Sequence, residues 1–564
     1  MSEKTAAVRD RSAARVAGIA VLVSLFSFLY YFQRNDLLLY GDAVAHINIA
    51  RRVFDSQTPG LLGLGTVWLP LPHLLMIPFI FSNSMWQSGA GGSIPAMIAY
   101  VFGVVGIFCL MRNMLKCDLR TKPAAVVGAW AAAVAYGTNP NLIYMQATAM
   151  TESVYLALFI WAIVYFAEFI HNLPKNHLQK NDDANRPKTR SPLIRCAWCL
   201  AGAELTRYDG WFLAGAMGAT VIVIIVIIAL RSSQNQDSDS RALSRTVVRF
   251  LAGIAVVPVL WLAYNGAVYG NALEFANGPY SAKAIEQRVG APNPALHNIG
   301  VAAIYFLKSA QLNMADGNWG RFWLAAALVA LALAVWKLRG QSAPLLLLWV
   351  PLLFYAFSIA YGSVPLHVYT WWPFATFNQR YGLQLLPMFA VSTGVLTASL
   401  VLLGAGGRHV GKLVAVIVAL MVVSYASVWK AEPQCLKEAR RNWEIRHTLN
   451  SAVQGVVARL PRNSRFLMDL GEHVGVMEQA GIPLRQVVNN ENHRPWKRPT
   501  DPEGLWERAL ADPPRYVDYV IAFDGDPVDR DANKANLTVL AEIHATGQPH
   551  ARIYATNSAT NQSR

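Results

Sequence analysis

The feature that most constrains this chain is a succession of apolar runs, most of them about 20 residues long, the length a helix needs to cross a bilayer. The first is Val16 to Phe32. Others cover residues 94–111, 123–137, 146–170, 195–205, 210–230, 247–267, 321–336, 343–361, 383–404 and 411–430. In lipid, backbone N–H and C=O groups find partners only inside a helix or a closed barrel. The pattern therefore predicts an α-helical polytopic membrane protein with about eleven crossings. Only 15% of the 564 residues are charged, against about 25% in an ordinary soluble domain. That balance excludes a disordered chain and argues against a purely soluble enzyme. The run that fits worst is 195–205, which ends in Glu204-Leu205-Thr206-Arg207-Tyr208-Asp209. Half-length helices with charged tips are tolerated where they line a polar cavity.

The basic N-terminus, followed by an apolar run with no small-residue cleavage site before Gln33-Arg34-Asn35-Asp36, reads as an uncleaved helix rather than a signal peptide. With that N-terminus cytoplasmic, alternate loops should be basic. They carry Arg112, Lys116, Arg120 and Lys122; Lys175, Lys180, Arg186, Lys188 and Arg190; Arg231, Arg241 and Arg245; Lys337 and Arg339; Arg408 and Lys412. The net charge of +15 then follows from membrane topology, and nucleic acid is not an expected partner. An odd number of crossings leaves 33–93, 268–320, 362–382 and 431–564 outside. Residues 1–430 read as the membrane domain. The Pro-broken stretch 69–80 reads as interfacial, and 281–290 as a short amphipathic helix. The tail, 431–564, changes composition. Arg465–Leu470, Leu484–Val488 and Tyr516–Phe523 read as strands and Glu472–Ala480 as a helix, a small extracytoplasmic α/β domain with a frayed end over 554–564. Cys196-Ala-Trp-Cys199 has redox spacing but lacks the surrounding fold such a site needs, and no structural disulfide is expected.

Acids just outside membrane helices are the residues to weigh. Asp42 opens a helical stretch, 43–54, with His46 one turn on along the same face; it serves either chemistry or as a helix N-cap. Glu152 lies near the outer end of a long apolar helix, where an acid needs a partner or a cavity, or else a capping role beside Thr151. Arg207 and Asp209 form a charge pair at a helix break. Arg380 and Tyr381 follow the aromatic run Trp371-Trp372-Pro373-Phe374; the Arg either snorkels in an interfacial belt or holds a lipid-linked phosphate. Asp524-Gly525-Asp526 fails the EF-hand register and reads as a solvated acidic turn. The chain contains no P-loop, HExxH or GxSxG.

At these residues the sequence resembles the GT-C membrane glycosyltransferases, the superfamily that includes protein O-mannosyltransferases and the lipid A aminoarabinose transferase. The resemblance covers about residues 15–430. It rests on an acid in the first outer loop followed by an Ile49-Ala50-Arg51-Arg52-Val53-Phe54-Asp55-Ser56 helix, on Thr151-Glu152-Ser153, on Leu205-Thr206-Arg207-Tyr208-Asp209-Gly210-Trp211, and on Arg380-Tyr381-Gly382-Leu383-Gln384-Leu385-Leu386-Pro387 opening a late span. It implies that Asp42 is catalytic, as general base on an acceptor hydroxyl or as its orienter. It also implies a sugar donor on a polyprenyl phosphate, with Arg380, and second to it Arg207, stabilising the leaving phosphate. His46, Glu152 and Asp209 would shape the polar cavity or hold a divalent metal if one is used, and Tyr381 would join the substrate-binding residues. The acceptor would be a lipid, glycan or protein hydroxyl outside the plasma (inner) membrane. Two positions depart from the family: Ala43 stands where many members have a second acid, which bears on metal dependence, and Tyr208 replaces the usual Pro. The rival readings are a transporter or flippase of a lipid-linked or sugar substrate, and a non-catalytic scaffold.

Overall fold

The computed structural model describes residues 11–115, 122–173, 190–231, 238–289, 292–338, 342–362, 364–372, 374–403, 410–471, 473–497 and 500–557. Lys116, Arg120, Lys175, Lys180, Arg186, Lys188, Arg339 and Arg408 lie outside them, as do the last seven residues, 558–564.

The membrane part is helical. Its elements are α1 (Ser12–Gln33), α2 (Gly41–Arg52), α3 (Ala90–Leu115), α4 (Lys122–Gly137), α5 (Glu152–His171), α6 (Arg190–Glu204), α7 (Asp209–Arg231), α8 (Ser238–Tyr269), α9 (Ile299–Met314), α10 (Gly320–Leu338), α11 (Val350–Tyr361), α12 (Leu386–Leu403) and α13 (Val410–Lys430). Nine helices among the described residues are long and apolar enough to cross a membrane, so the chain is a multi-pass membrane protein. The other two predicted crossings are α4, of 16 residues, and α6, of 15. The first is apolar but short; the second is both short and too polar to qualify on composition.

α4 packs along α12, α5 along α3 and α6. The α4–α12 contact is close because Gly128 and Gly394 face each other. A Cβ at either would lie 2.7 Å from the other's carbonyl oxygen, the small-residue route to tight helix pairing in lipid. The two ends of the bundle differ in chemistry. At one end Asn113 and Glu168 meet beside Pro344. The opposite end gathers Asp36, Tyr144, Glu152, Asp209 and Arg380.

One element at the Arg380 end of the bundle is absent from the sequence reading. α9 carries Lys308, Ser309, Gln311 and Asn313, all buried, and is too polar to register as a span. It is tied to the Arg380 end at both of its own ends. The His297 N–H donates to the Ala360 carbonyl, and Asn139 Nδ2 donates to the Asn313 carbonyl at 2.8 Å.

Past α13 the chain forms α14 (Gln434–Val457) and a five-stranded sheet. Its strands are β1 (Phe466–Met468), β2 (Val487–Val488), β3 (Tyr519–Phe523), β4 (Leu537–Ile543) and β5 (Ala551–Thr556), in spatial order β2-β1-β3-β5-β4. β1 runs parallel to β2 and β3, and β5 antiparallel to β3 and β4. A helix, Gly475–Ala480, lies between β1 and β2. The expectation of a frayed end is corrected here: Tyr554 to Thr556 belong to β5 and are buried. The polar composition of the last residues hid a strand whose inward face is Ala551, Ile553 and Ala555.

The tail sits on the segment between α1 and α3. Tyr40 Oη donates to the Cys435 carbonyl at 2.8 Å, the Gly41 N–H to Asn442 Oδ1 at 2.7 Å, and Asn48 Nδ2 to Glu478 Oε2 at 2.8 Å. α2 is thereby held between the bundle and the tail.

Candidate active site

α2 begins after an extended Tyr40, which supplies no side-chain cap. Asp42 is inside the first turn, so the N-cap alternative for it does not hold. Its carboxylate instead pairs with Nη2 of Arg380. Arg380 is presented by a 3₁₀ segment, Gln379–Leu385, that leads into α12. Its side chain is 8% exposed, while that of Asp42 is 38% exposed. The base candidate is therefore reachable and the cation is set behind it.

Arg380 Nε lies 3.3 Å from Glu152 Oε1, and Nη1 lies 3.6 Å from Glu438 Oε1. The same Glu152 oxygen accepts from Arg207 Nη1 at 3.3 Å. Thr151, at the N-cap position of α5, makes no side-chain cap; its hydroxyl accepts from Arg207 at 3.2 Å. Arg207 also reaches Asp209 Oδ1 at 3.3 Å and donates to Tyr355 Oη at 2.9 Å. Tyr355 Oη in turn donates to Asp209 Oδ2 at 3.2 Å. The Tyr381 ring lies between the two guanidiniums, 5.1 Å from Arg207 and 5.2 Å from Arg380, a cation–π arrangement. Tyr40 backs Arg380 at 5.0 Å.

Six of the seven sequence candidates thus form one network: Asp42, Glu152, Arg207, Asp209, Arg380 and Tyr381. His46 is one turn from Asp42 but joins a different pair. Its Nδ1 is 2.9 Å from Nε2 of His73, and its ring packs on Trp68. Burial, helped by the nearby charges of Arg380 and Arg207, holds the His46 imidazole down at about 3, and burial holds His73 well below its ordinary value. Both rings are neutral at pH 7. An unpartnered N–H costs more than an unpartnered lone pair, and His73 Nδ1 has no hydrogen-bond partner. The favoured tautomers therefore have His73 Nε2–H donating and His46 Nε2–H free to donate to a ligand.

Sequence reasoning missed Glu438, His73 and Tyr355. Glu438 sits one turn into α14, among the charges of a helix that reads as an ordinary surface helix. Tyr355 is one aromatic among many in an apolar span. The Pro-rich stretch around His73 carried a usable signal, since it is an unusual place for a histidine.

Each of the network's four carboxylates faces a guanidinium, while the second oxygen of Glu152, Oε2, is buried with no hydrogen-bond partner. Among the described residues, His, Cys, Asp or Glu ligand atoms converge in a group of three only at His493, Asp501 and Glu507, in the tail. The two cysteines of the CxxC are free, Cys196 buried beside Met217. Asp526 accepts from the Asp529 N–H and caps a short helix.

No protein-family model and no curated protein matches the chain. The fold is similar to that of ArnT from Cupriavidus metallidurans bound to undecaprenyl phosphate, at 11% identity, covering 96% of this chain and 97% of that one, with a TM-score of 0.55. The apo state of the same protein gives 12% identity, 97% and 98% coverage and a TM-score of 0.55. The Archaeoglobus fulgidus oligosaccharyltransferase is a weaker match, at 13% identity, 97% and 75% coverage and a TM-score of 0.49. The chain adopts the GT-C fold.

Proposed function

We propose that this protein is an integral membrane glycosyltransferase that moves a sugar from a polyprenyl-phosphate donor to a hydroxyl of a lipid, glycan or protein. The reaction takes place at the extracytoplasmic face of the plasma membrane. The observation that carries the reading is the Asp42–Arg380–Glu152 arrangement at one end of the bundle. An exposed carboxylate there is backed by a buried guanidinium, on a fold whose solved example holds undecaprenyl phosphate.

In this reading Arg380 is the hinge of the chemistry. The donor phosphodiester carries one negative charge; the departing monoester carries a second. As that charge develops, Arg380 exchanges Asp42 for phosphate oxygen and stabilises the leaving group. The exchange frees Asp42, whose carboxylate accepts the proton of the acceptor hydroxyl. The acceptor oxygen forms its bond to the anomeric carbon as the bond from that carbon to phosphate oxygen breaks, and the bonding pair leaves on polyprenyl phosphate. Arg207, Glu152 and Tyr381 fix the Arg380 side chain. His46 offers its Nε2–H to a sugar or phosphate oxygen. Nucleotide sugars are cytoplasmic, so a site on the outer face calls for a lipid-carried donor. The charged network lies at the bundle end rather than the midplane, which favours a transferase over a transporter.

The test is turnover of a panel of polyprenyl-phosphate sugars by the purified protein and by Asp42→Ala, following release of polyprenyl phosphate. Release by the wild type alone supports the reading and names the sugar. Equal release by both removes Asp42 from the chemistry.

A further inference from the structure

Outside the network at the bundle end, the described residues hold one other convergence of ligand-type side chains. His493, Asp501 and Glu507 each direct one ligand atom to a common point, all within 4.8 Å of one another. The residues come from two short pieces of the tail: the loop after the Asn490–Asn492 turn, and the first helical turn of Leu505–Ala511.

Three features separate this cluster from a chance meeting of surface charges. Asp501 is buried, 1% exposed. Its carboxylate is oriented by Arg494, whose N–H and Nε donate to Oδ2 at 3.2 and 2.8 Å. Glu507 Oε1 contacts His493 Nδ1, while the second oxygen of Glu507, Oε2, is buried and has no hydrogen-bond partner. Glu507 Oε2 and Asp501 Oδ2 also face the same small space beside Gly504, where a Cβ would collide with both. Two carboxylates sharing a side-chain-free space, one of them with an unsatisfied buried oxygen, call for a positive charge between them. Arg494 pairs with both oxygens of Asp501 and with Glu503 Oε2 at 3.3 Å, and with neither oxygen of Glu507.

We propose that His493, Asp501 and Glu507 form a divalent cation site of the zinc class. The donor set decides the class. An imidazole nitrogen and two carboxylate oxygens suit zinc, whose ligand atoms in a tetrahedral site stand about 3.4 Å apart at bonds of about 2.0–2.2 Å. Calcium needs about six to eight oxygens, and an imidazole is a poor substitute for one. Arg494 then acts as the outer partner that fixes a ligating carboxylate. Two carboxylates and a neutral imidazole balance the ion's charge.

The position gives the site a role distinct from sugar transfer. Its loop is also one of the parts of the tail that reach the segment around α2: Glu491 pairs with Arg52 at 2.9 Å, and Asn492 Nδ2 donates to Thr58 Oγ1 at 2.9 Å. A cation here would clip that loop to the Leu505–Ala511 helix and so fasten the tail over α2.

The full-length protein in detergent would be stripped with a chelator, reloaded with Zn²⁺ alone and desalted, and its metal measured by elemental analysis. One zinc per chain is expected, with a rise in Tm of several degrees over the stripped protein. Both should be lost in His493→Ala and in the isosteric Glu507→Gln, and both kept in Cys196→Ser/Cys199→Ser, which removes the other soft-ligand pair. No retained zinc in well-folded wild type, retention of calcium instead, or zinc that survives both site variants would overturn the proposal.

Discussion

Asp42 and Glu438 close on the same guanidinium from opposite ends of the chain: Arg380 pairs with Asp42 through Nη2 and faces Glu438 through Nη1 at 3.6 Å. Glu152 completes the ring at 3.3 Å. One side chain therefore ties α2, the α5 span and the tail together. The loads on it are unequal. Asp42 is partly exposed, whereas Glu152 and Glu438 are buried.

Arg380→Ala would strand those two buried carboxylates. Removing one partner of a buried ion pair costs about 3–5 kcal/mol, so the variant should unfold well below the wild type in a thermal scan. Arg380→Lys keeps the charge but loses the planar fork. It should fold close to normally and yet lose about 10²–10³-fold in kcat, the scale of a missing charge-stabilising donor. A lysine variant with wild-type kcat would contradict the role given to this residue.

Asp42→Asn separates chemistry from structure. The Asp42 side chain is 38% exposed, and the buried Arg380 keeps Glu152 and Glu438 as partners when Asp42 is neutralised, so stability should fall by only about 1 kcal/mol. Loss of a general base should lower kcat by about 10²–10⁴-fold. Donor affinity should hold or tighten, because Arg380 no longer has Asp42 to release. Binding of a non-transferable donor analogue, measured beside kcat, checks both halves.

How much of this was legible depended on how unusual each residue was in its surroundings. Asp42, Glu152, Arg207, Asp209 and Arg380 stood out because charge at the tip of an apolar helix is costly and needs a reason, and Tyr381 because it adjoins Arg380 after an aromatic run. Their partners did not. Glu438 shares α14 with Lys437, Arg440, Arg441 and Glu444, and periodicity does not distinguish the buried charge of such a helix from the solvated ones. α9 was missed because Lys308, Gln311 and Asn313 break its apolar pattern, and those side chains are buried by packing within the protein rather than by lipid. In the sheet, β3 was legible because all five of its residues are buried. β4 alternates irregularly and has an exposed edge, so little in its pattern marks it as a strand.

The tail's hold on α2 should depend on pH through Glu478. Burial pushes this carboxyl from 4.5 up to about 8, opposed only in part by the Asn48 hydrogen bond and the charge of Arg446. A raised carboxyl is protonated when folded and ionised when unfolded across that interval. Its contribution is therefore lost as pH rises from about 5 to about 8, at up to about 1.4 kcal/mol per pH unit. Tm measured at several pH values for the wild type and for Glu478→Gln should diverge across that window, with the wild type falling relative to the variant. Parallel curves would mean that Glu478 is ionised in the folded protein.

Gly382→Ala tests whether α9 positions Arg380. A Cβ at Gly382 would lie 2.5 Å from the Ser309 carbonyl carbon and 2.6 Å from the Ala310 nitrogen. These are backbone atoms and have no rotamer by which to yield. The Ser309 hydroxyl also donates to the Gln379 carbonyl at 2.5 Å, so α9 and the Arg380 segment must separate together. Overpacking of this kind costs about 1–3 kcal/mol, which a folded membrane bundle should survive. A displacement of about 1 Å at Arg380 is enough to misplace it by the measure of a catalytic group, with losses near 10²-fold. The expected result is a modest drop in Tm with a disproportionate drop in kcat, and a Ser309→Gly/Gly382→Ala pair should recover neither, because the clash is with backbone. Full activity in Gly382→Ala would show that α9 does not set the position of Arg380.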